Sequence, residues 1–146
     1  MRQHGFSLLE VLITLIIVSI GLLGLAGLTT ASLKNNQSAY QRSIASWQAY
    51  DILDRMRANR TIANGGGYNV ALGVAPAAAN PIAQTDLTQW KQQLAASLPS
   101  GDGSVTTNGG ISSIVVRWND SRGLGTLNGS GYVGNSVQSF TINTQL

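Results

Sequence analysis

Glu10 is the only charged side chain in an apolar block that begins at Phe6, and no charged residue follows it from Val11 to Leu28. An acidic group inside a membrane segment is costly and usually has a function. In a helix, Phe6 and Glu10 lie on one face because they are four residues apart. Pairing with a positive group is the chemistry that this carboxylate offers.

The rest of the chain carries few groups for catalysis or metal binding. It has no cysteine, and its one histidine is His4, so the usual general base and the commonest transition-metal ligand are missing from the body of the protein. The patterns GxxxxGKS/T, GxSxG, HExxH and CxxC are absent. Asp102 and Asp120 lie in turn-rich stretches, but one carboxylate in each argues against a calcium site. We therefore expect no enzyme activity, no metal and no cofactor.

The positive charge of the chain does not by itself indicate a nucleic-acid partner. The net charge is +3, but the nine basic residues are scattered and no run of Lys or Arg occurs. A DNA-binding surface on the C-terminal part would have to use Lys91, Arg117 and Arg122. We therefore predict that nucleic acid is not a partner.

Three interpretations compete for the apolar block. A secretory signal peptide needs a basic start and a small-residue cleavage site, for which Arg2 and Thr29-Thr30-Ala31 are available. Its core would be too long, and signal peptides normally lack an acid at the position of Glu10. A plain membrane anchor fits the length of Val11 to Leu28, because a span takes about 20 residues, but it does not explain Glu10.

The third interpretation rests on a resemblance. Arg2-Gln3-His4-Gly5 followed by Phe6-Ser7-Leu8-Leu9-Glu10 resembles the leader of a type IV prepilin, in which a short basic leader ending in Gly precedes Phe-Thr/Ser-Leu-x-Glu and a long apolar stretch. The resemblance implies that a membrane-bound prepilin peptidase cuts between Gly5 and Phe6 on the cytoplasmic side. It also implies methylation of the new amino group of Phe6.

The residue types agree with this interpretation. Gly5 has no side chain, so a peptidase can approach its backbone closely. After cleavage Phe6 carries a positive amine, and Glu10 can neutralise the amine of its own chain or of a neighbouring subunit, where scarce water strengthens the pairing. The resemblance favours the neighbour. The alternative is that Glu10 only marks the membrane edge, with its carboxylate at the headgroups.

A helical pattern continues beyond Leu33. Its apolar residues recur at three or four positions, which predicts an amphipathic stem helix packed on a sheet. The predicted packing residues are Tyr40, Ile44, Trp47, Tyr50, Leu53 and Met56. Asp51 and Arg55 are spaced for an ion pair. With Asn59 and a run of glycines ending the helix, the chain from Phe6 to about Ala58 forms one rod of ~80 Å.

The remaining residues predict a small head with a second helix and a sheet. Residues 60–85 have no clear period and are predicted to form a loop. Thr85 or Asp86 is expected to cap a helix that ends at Pro99, and its apolar face comprises Leu87, Trp90, Leu94 and Leu98. A turn is predicted at Ser100–Gly103, and strands at Ser104–Thr107, Ser112–Trp118 and Val137–Gln145. Residues 119–136 are too long for a hairpin turn and are therefore either functional or flexible.

Segments of the stem and head narrow the resemblance to the minor pilins called PilV, or type IV pilus modification proteins. The matching segments are Lys34–Arg42, Tyr50–Asn59, Asp86–Trp90, Leu98–Val105, Val116–Asp120 and Ser139–Leu146. Many relatives carry cysteines in the head, whereas this chain has none.

The resemblance implies the type IV pilin fold, an α+β fold in which a long N-terminal helix packs on a small antiparallel sheet. Its parts are a leader (1–5), a hydrophobic transmembrane and assembly helix (6–33), an amphipathic stem (34–59) and a globular head (60–146). It implies a single-pass inner-membrane protein that later lies on the pilus at the cell surface.

The implied function is that of a minor pilin that takes part in initiating type IV pilus assembly and is incorporated at or near the tip. Its implied partners are other minor pilins, the major pilin, the prepilin peptidase and the inner-membrane assembly platform. The alternatives are a minor pseudopilin of a type II secretion system, which shares the leader and fold, and a DNA-binding pilin for DNA uptake.

Overall fold

A computed structural model of the chain describes residues 7–123, 126–128, 131–133 and 137–146, of which 126–128 and 131–133 are described only as backbone. Its elements are α1 (Leu8–Ala58), α2 (Arg60–Asn64), α3 (Pro81–Ser97), β1 (Asp102–Asn108), β2 (Ile111–Asn119), β3 (Thr126–Asn128), β4 (Gly131–Val133) and β5 (Val137–Gln145). A long N-terminal helix packs on a three-stranded antiparallel sheet. The predicted α+β architecture, consistent with the type IV pilin fold, is confirmed.

Helix α1 is one unbroken rod of 51 residues, which at about 1.5 Å per residue is ~77 Å long. It ends at Ala58, as predicted, because the backbone N–H of Asn59 closes the last turn on the carbonyl oxygens of Arg55 and Met56. The apolar first half is exposed, and the second half buries one face. That face comprises Gln41, Ala45, Ala49, Ile52, Leu53 and Met56.

The predicted packing face of the stem is wrong for its three aromatic residues. Tyr40, Trp47 and Tyr50 are 64%, 70% and 51% exposed and lie away from the head. Among the other predicted residues, Leu53 and Met56 are buried in the core and Ile44 packs against it. The cause is geometric, because three residues turn a helix by only about 300° and each three-residue step falls about 60° behind. From Trp47 to Met56 the predicted stripe therefore moves to the opposite side of the helix.

Helix α3 covers the buried face of the stem. It begins at Pro81 and not at Thr85 or Asp86, because the Asn80 side chain accepts hydrogen bonds from the N–H groups of Ile82 and Ala83, and proline suits the first helical position. Its predicted apolar face is confirmed, with Leu87, Trp90, Leu94 and Leu98 buried.

The prediction that residues 60–85 form a loop is wrong in part, because α2 and the start of α3 lie in this segment. After α2 the chain buries Tyr68 completely. Val70 then forms an isolated antiparallel bridge with Val105 of β1. The segment therefore covers one edge of the sheet and adds a tyrosine to the core.

The sheet has the strand order β1-β2-β5, with both pairings antiparallel. The predicted strand Val137–Gln145 is confirmed at both ends, whereas β1 and β2 are longer than predicted. The turn predicted at Ser100–Gly103 is wrong for its last two residues, because Asp102 and Gly103 already pair with β2. A Cβ at Gly103 would collide with the indole of Trp90, so glycine permits the close approach of β1 to α3.

Gly109 and Gly110 form the tight connection between β1 and β2, with φ values of 58° and 80°. Both values lie in the left-handed region that glycine enters at little cost, as a two-residue hairpin requires. The hairpin places Ile114, Val116 and Trp118 of β2 on the buried face, as predicted. Phe140 and Ile142 of β5 pack beside them.

Part of the predicted loop at 119–136 has regular structure. Strands β3 and β4 pair antiparallel in a separate two-stranded sheet, with Leu127 opposite Tyr132. The rest of the segment from 124 to 136 lies outside the described residues.

We expect that a chain lacking residues 1–28 is soluble and folded. The buried residues of the described chain begin at Gln41, so the deletion removes exposed apolar surface and none of the core. Circular dichroism should show a mixture of helix and sheet, and the protein should stay in the supernatant without detergent. Membrane association that persists after the deletion would contradict this assignment of the core.

Two substitutions in the shortened chain provide a matched control for the stem faces. Leu53→Ala removes a buried side chain and should cost about 2–5 kcal/mol in the free energy of unfolding. Tyr50→Ala alters the exposed face and should change it by less than about 0.5 kcal/mol. Equal losses in urea unfolding would mean that the two faces are assigned wrongly.

Candidate processing and assembly site

Ser7 and Glu10 form the start of α1. The Ser7 backbone is extended, with φ −76° and ψ 141°, and its side-chain oxygen accepts a hydrogen bond of 3.2 Å from the N–H of Leu9. The N–H of Glu10 donates to the Ser7 carbonyl oxygen at 3.0 Å, which places Glu10 in the first turn. The partial positive charge of a helix N-terminus favours a carboxylate there.

The Glu10 side chain is exposed, and it forms no ion pair with the residues that the structure describes. Its charge is therefore accessible to a positive group from outside this part of the chain. Gly5 and Phe6, the predicted cleavage and methylation residues, lie outside the described residues together with the leader 1–5. Their roles, and the pairing of Glu10 with the Phe6 amine, remain predictions.

The apolar half of α1 is long and apolar enough to cross a membrane. Its most hydrophobic window of 18 residues has a mean hydropathy of 2.7, and none of it is buried. A helix is suited to this environment because its backbone hydrogen bonds are satisfied internally. The head contacts only the second half of α1, so the first half is available to lipid or to other helices.

Near the C-terminal end of α1, a network of charged and polar groups around Arg55 holds the head to the stem. Its guanidinium contacts Asp51 at 3.0 Å, as predicted, and also Asp86 of α3 at 3.4 Å. The Tyr68 hydroxyl donates to the other Asp86 oxygen at 2.6 Å and accepts from the Asn59 amide at 3.2 Å. The network therefore connects the end of α1, the segment after α2 and α3.

Two further contacts hold the head to the middle of the stem and to its N-terminal part. The indole Nε1 of Trp90 donates to the carbonyl oxygen of Gln48 at 2.8 Å. Nearer the apolar half of α1, the Ser38 hydroxyl donates to the carboxylate of Asp120, a residue that is 7% exposed. The head is thus fixed to the stem from Ser38 to Arg55, a length of about 26 Å along the helix.

Sequence reasoning missed most of these contacts. Tyr68 and Asp86 are 18 residues apart, and Ser38 and Asp120 are 82 apart, so no helical or strand period connects them. The start of α3 had a local signal, since Asn80 before Pro81 is a capping residue followed by the proline that favours the first turn.

Lys91, one of the three candidate DNA-binding residues, is already occupied within the head. Its ammonium contacts Asp102 at 3.0 Å and donates to the carbonyl oxygens of Ala71 and Val74. Burial opposes the Asp102 charge, but hydrogen bonds from the Gly73 N–H and from Lys91 outweigh it and hold the pKa of Asp102 below its usual value. Arg117 and Arg122 are the exposed members of the predicted set.

Within residues 7–123 and the described parts beyond them, no group of three or more His, Cys, Asp or Glu side chains is arranged to hold a metal ion.

Residues 1–26 match the family described as the prokaryotic N-terminal methylation motif. No curated protein and no solved structure matches the chain. The matched range contains Gly5, Phe6, Glu10 and most of the apolar block. Together with the long exposed helix and the antiparallel sheet, the match supports a type IV pilin-like class. It indicates a structural protein that is processed by prepilin peptidase and assembles with other pilins from a membrane.

We predict that the stability of the head falls as the pH rises above about 10. Burial and the hydrogen bond to Asp86 raise the pKa of Tyr68 from 10.0 to about 12. The Tyr68 phenol therefore loses its proton first in the unfolded chain. Its contribution to the free energy of unfolding is lost as the pH rises towards the pKa of Tyr68 in the folded protein. The difference between the two pKa values corresponds to about 2–3 kcal/mol at most. Urea unfolding of the chain lacking residues 1–28, from about pH 9 to 11, measures the loss.

Tyr68→Phe is the control for this pH dependence. The variant should be less stable at neutral pH, because the partly buried carboxylate of Asp86 loses a donor, and its stability should fall less steeply above about pH 10. The prediction fails if both proteins lose stability equally over this range.

Proposed function

We propose that the chain is a minor pilin of the PilV type, which takes part in initiating type IV pilus assembly and is incorporated at or near the pilus tip. The main support for this function is the methylation motif at residues 1–26. It begins a helix whose exposed apolar half continues directly into the stem that holds the head. The PilV-like segments of the stem and head support the minor-pilin assignment.

The geometry supports a role in which the subunit moves as one rigid piece. Because the head is fixed to the stem between Ser38 and Arg55, withdrawal of the apolar half from the bilayer carries the head with it. The exposed apolar surface, which lipid covers before assembly, is then covered by the helices of other subunits. The proposed subunit is therefore first a single-pass inner-membrane protein and then part of the pilus at the cell surface.

Glu10 supplies the specificity of this transfer in the proposed mechanism. Apolar contacts are similar in lipid and in a helix bundle, whereas an unpaired carboxylate is costly in both. Pairing with the Phe6 amine of an adjoining subunit removes that cost only in the assembled state. Glu10 therefore favours the fibre over the membrane.

A deletion experiment can separate this function from that of a type II secretion pseudopilin, which requires the same motif and fold. Deletion of the gene for this protein in its natural host cell should reduce the number of surface pili and leave protein secretion unchanged. Restoration by the full chain, and not by the chain lacking residues 1–28, would connect the effect to assembly. Loss of secretion with normal pili would favour the pseudopilin.

We expect Gly5→Val to leave the chain uncut, because the added side chain blocks close approach of the peptidase to the backbone. Mass spectrometry of the N-terminus in membranes should find the leader retained. The control is Gly21→Ala, since a Cβ at Gly21 meets no atom within 4 Å, and this variant should be cut normally. Normal trimming of Gly5→Val before Phe6 would refute the prepilin assignment, and a cut after Ala31 would support a signal peptide.

Glu10→Ala should be cleaved and retained in the membrane but poorly incorporated into pili. Loss of the charge removes a desolvation cost on the order of a few kcal/mol in the bilayer, and it also leaves an amine in the fibre without its counter-charge. The measurement is the ratio of variant protein in sheared pili to that in membranes, with surface pili counted in parallel.

Glu10→Gln keeps the shape of the side chain and should behave like Glu10→Ala. Asp54→Ala is the matched control, because it removes an exposed carboxylate of the same helix that pairs only with Arg57 in the described residues. It should be incorporated normally. Wild-type incorporation of Glu10→Ala would show that Glu10 is not an assembly contact in this subunit.

A further inference from the structure

Three large aromatic side chains cover the side of the stem that faces away from the head. Tyr40, Trp47 and Tyr50 are more than half exposed, although they lie beyond the apolar block and next to polar residues. They do not contribute to the core, in which α1 takes part only with residues of its opposite side. Exposed aromatic residues grouped on one face are typical of protein contact sites.

The spacing of this face is that of a two-helix seam. Steps of three and four residues alternate along it, an average of 3.5, which is the repeat of helices that pack side by side. From the end of the apolar block onward the seam comprises Leu33, Asn36, Tyr40, Ser43, Trp47 and Tyr50. The same alternation continues backwards through Thr29, Ala26, Leu22, Ser19, Leu15, Leu12 and Leu8. The aromatic face is therefore continuous with the exposed apolar half of α1, which other helices cover in the proposed function.

No charged residue occupies the seam between Leu28 and Tyr50. The two charges of this stretch, Lys34 and Arg42, lie on other sides of the helix, and Arg42 bonds to Gln138 of the head. Depletion of charge at the centre of a contact, with Tyr and Trp as its large residues, characterises protein interfaces. The next position of the repeat, Asp54, is charged, and its carboxylate pairs with Arg57 of its own chain at 2.9 Å.

Lipid does not reach far enough to cover this face. Trp47 lies 19 residues beyond Leu28, which is about 28 Å along the helix, whereas the headgroup layer adds only about 5–8 Å to each side of the hydrocarbon. Two chains anchored by the same apolar segment lie at the same depth and run parallel. Their stems are therefore in register, and each seam meets the same residues of the other chain.

We propose that a second copy of this chain covers the seam in the membrane, giving a parallel two-helix dimer in which Tyr40, Trp47 and Tyr50 pack against their counterparts. The two-fold axis runs along the seam, as an isologous contact requires, and the heads lie on the outer sides, where they do not obstruct it. The dimer rests on the membrane-anchored state of the proposed function and precedes incorporation into a fibre.

Single-cysteine variants of the full chain test the dimer, because the natural chain has no cysteine. Membranes of cells that express Trp47→Cys are treated with a short thiol-to-thiol cross-linker, and the dimer fraction is measured. Asn35→Cys is the control, since Asn35 is exposed and lies about a third of a turn from the seam, closer to the membrane anchor. The dimer fraction should be several-fold larger for Trp47→Cys than for Asn35→Cys.

The contribution of the aromatic residues is measured with Tyr40→Cys as the reporter. Adding Trp47→Ala should reduce the cross-linked dimer several-fold, whereas adding Asn35→Ala should leave it unchanged. A mixture of Tyr40→Cys and Trp47→Cys chains with different tags should give fewer mixed dimers than same-position dimers, because seven residues separate the sites by about 10 Å.

Equal dimer fractions for Trp47→Cys and Asn35→Cys, or cross-linking of the Trp47→Cys chain only to a different protein, would overturn the dimer. Membrane retention and the mass of the mature N-terminus are measured on the same samples. A cut, membrane-bound chain without the dimer would refute the seam and leave the proposed function intact. A chain that is absent from the membrane would refute both.

Discussion

One continuous helix must serve two surroundings, and the rest of the structure depends on this constraint. The first half of α1 has no contact with the head, so its backbone polar groups can be satisfied only within the helix itself. The second half stands in water and would be marginally stable alone if the head did not bury one of its faces. Because α1 has no break from Leu8 to Ala58, force or movement applied to the apolar half is transmitted to the head.

The head contacts this helix over a long part of its length. Small residues on the stem, Ala45 and Ala49, are fully buried and allow α3 and the sheet to approach closely. Trp90 is fully buried in the same core, and its indole N–H donates to the carbonyl oxygen of Gln48 in the stem. Polar contacts around Arg55 and Asp120, at the two ends of the contact, then fix the position of the head along the helix. Apolar burial thus supplies the affinity of the head for the stem, and the polar contacts set its register.

The elements with strong local signals could be predicted from the sequence. The end of α1, the apolar face of α3 and the strand Val137–Gln145 follow from caps, periods and alternation. The predicted start of α3 at Thr85 or Asp86 is wrong because both residues also resemble caps, although Asn80 before Pro81 is the stronger signal. The contacts of Tyr68 with Asp86 and of Ser38 with Asp120 have no local signal, because they arise only when distant elements pack.

The exposed aromatic residues of the stem have a physical meaning of their own. Hydrophobic periodicity predicts that a face is covered, but it does not say by what. On this stem two apolar faces coexist, a narrow one of alanines and aliphatic residues under the head and an aromatic one on the other side. A single protein needs only the first for its fold. The second face adds exposed apolar area and lies outside the core, which is why another helix is the occupant that its spacing and chemistry fit.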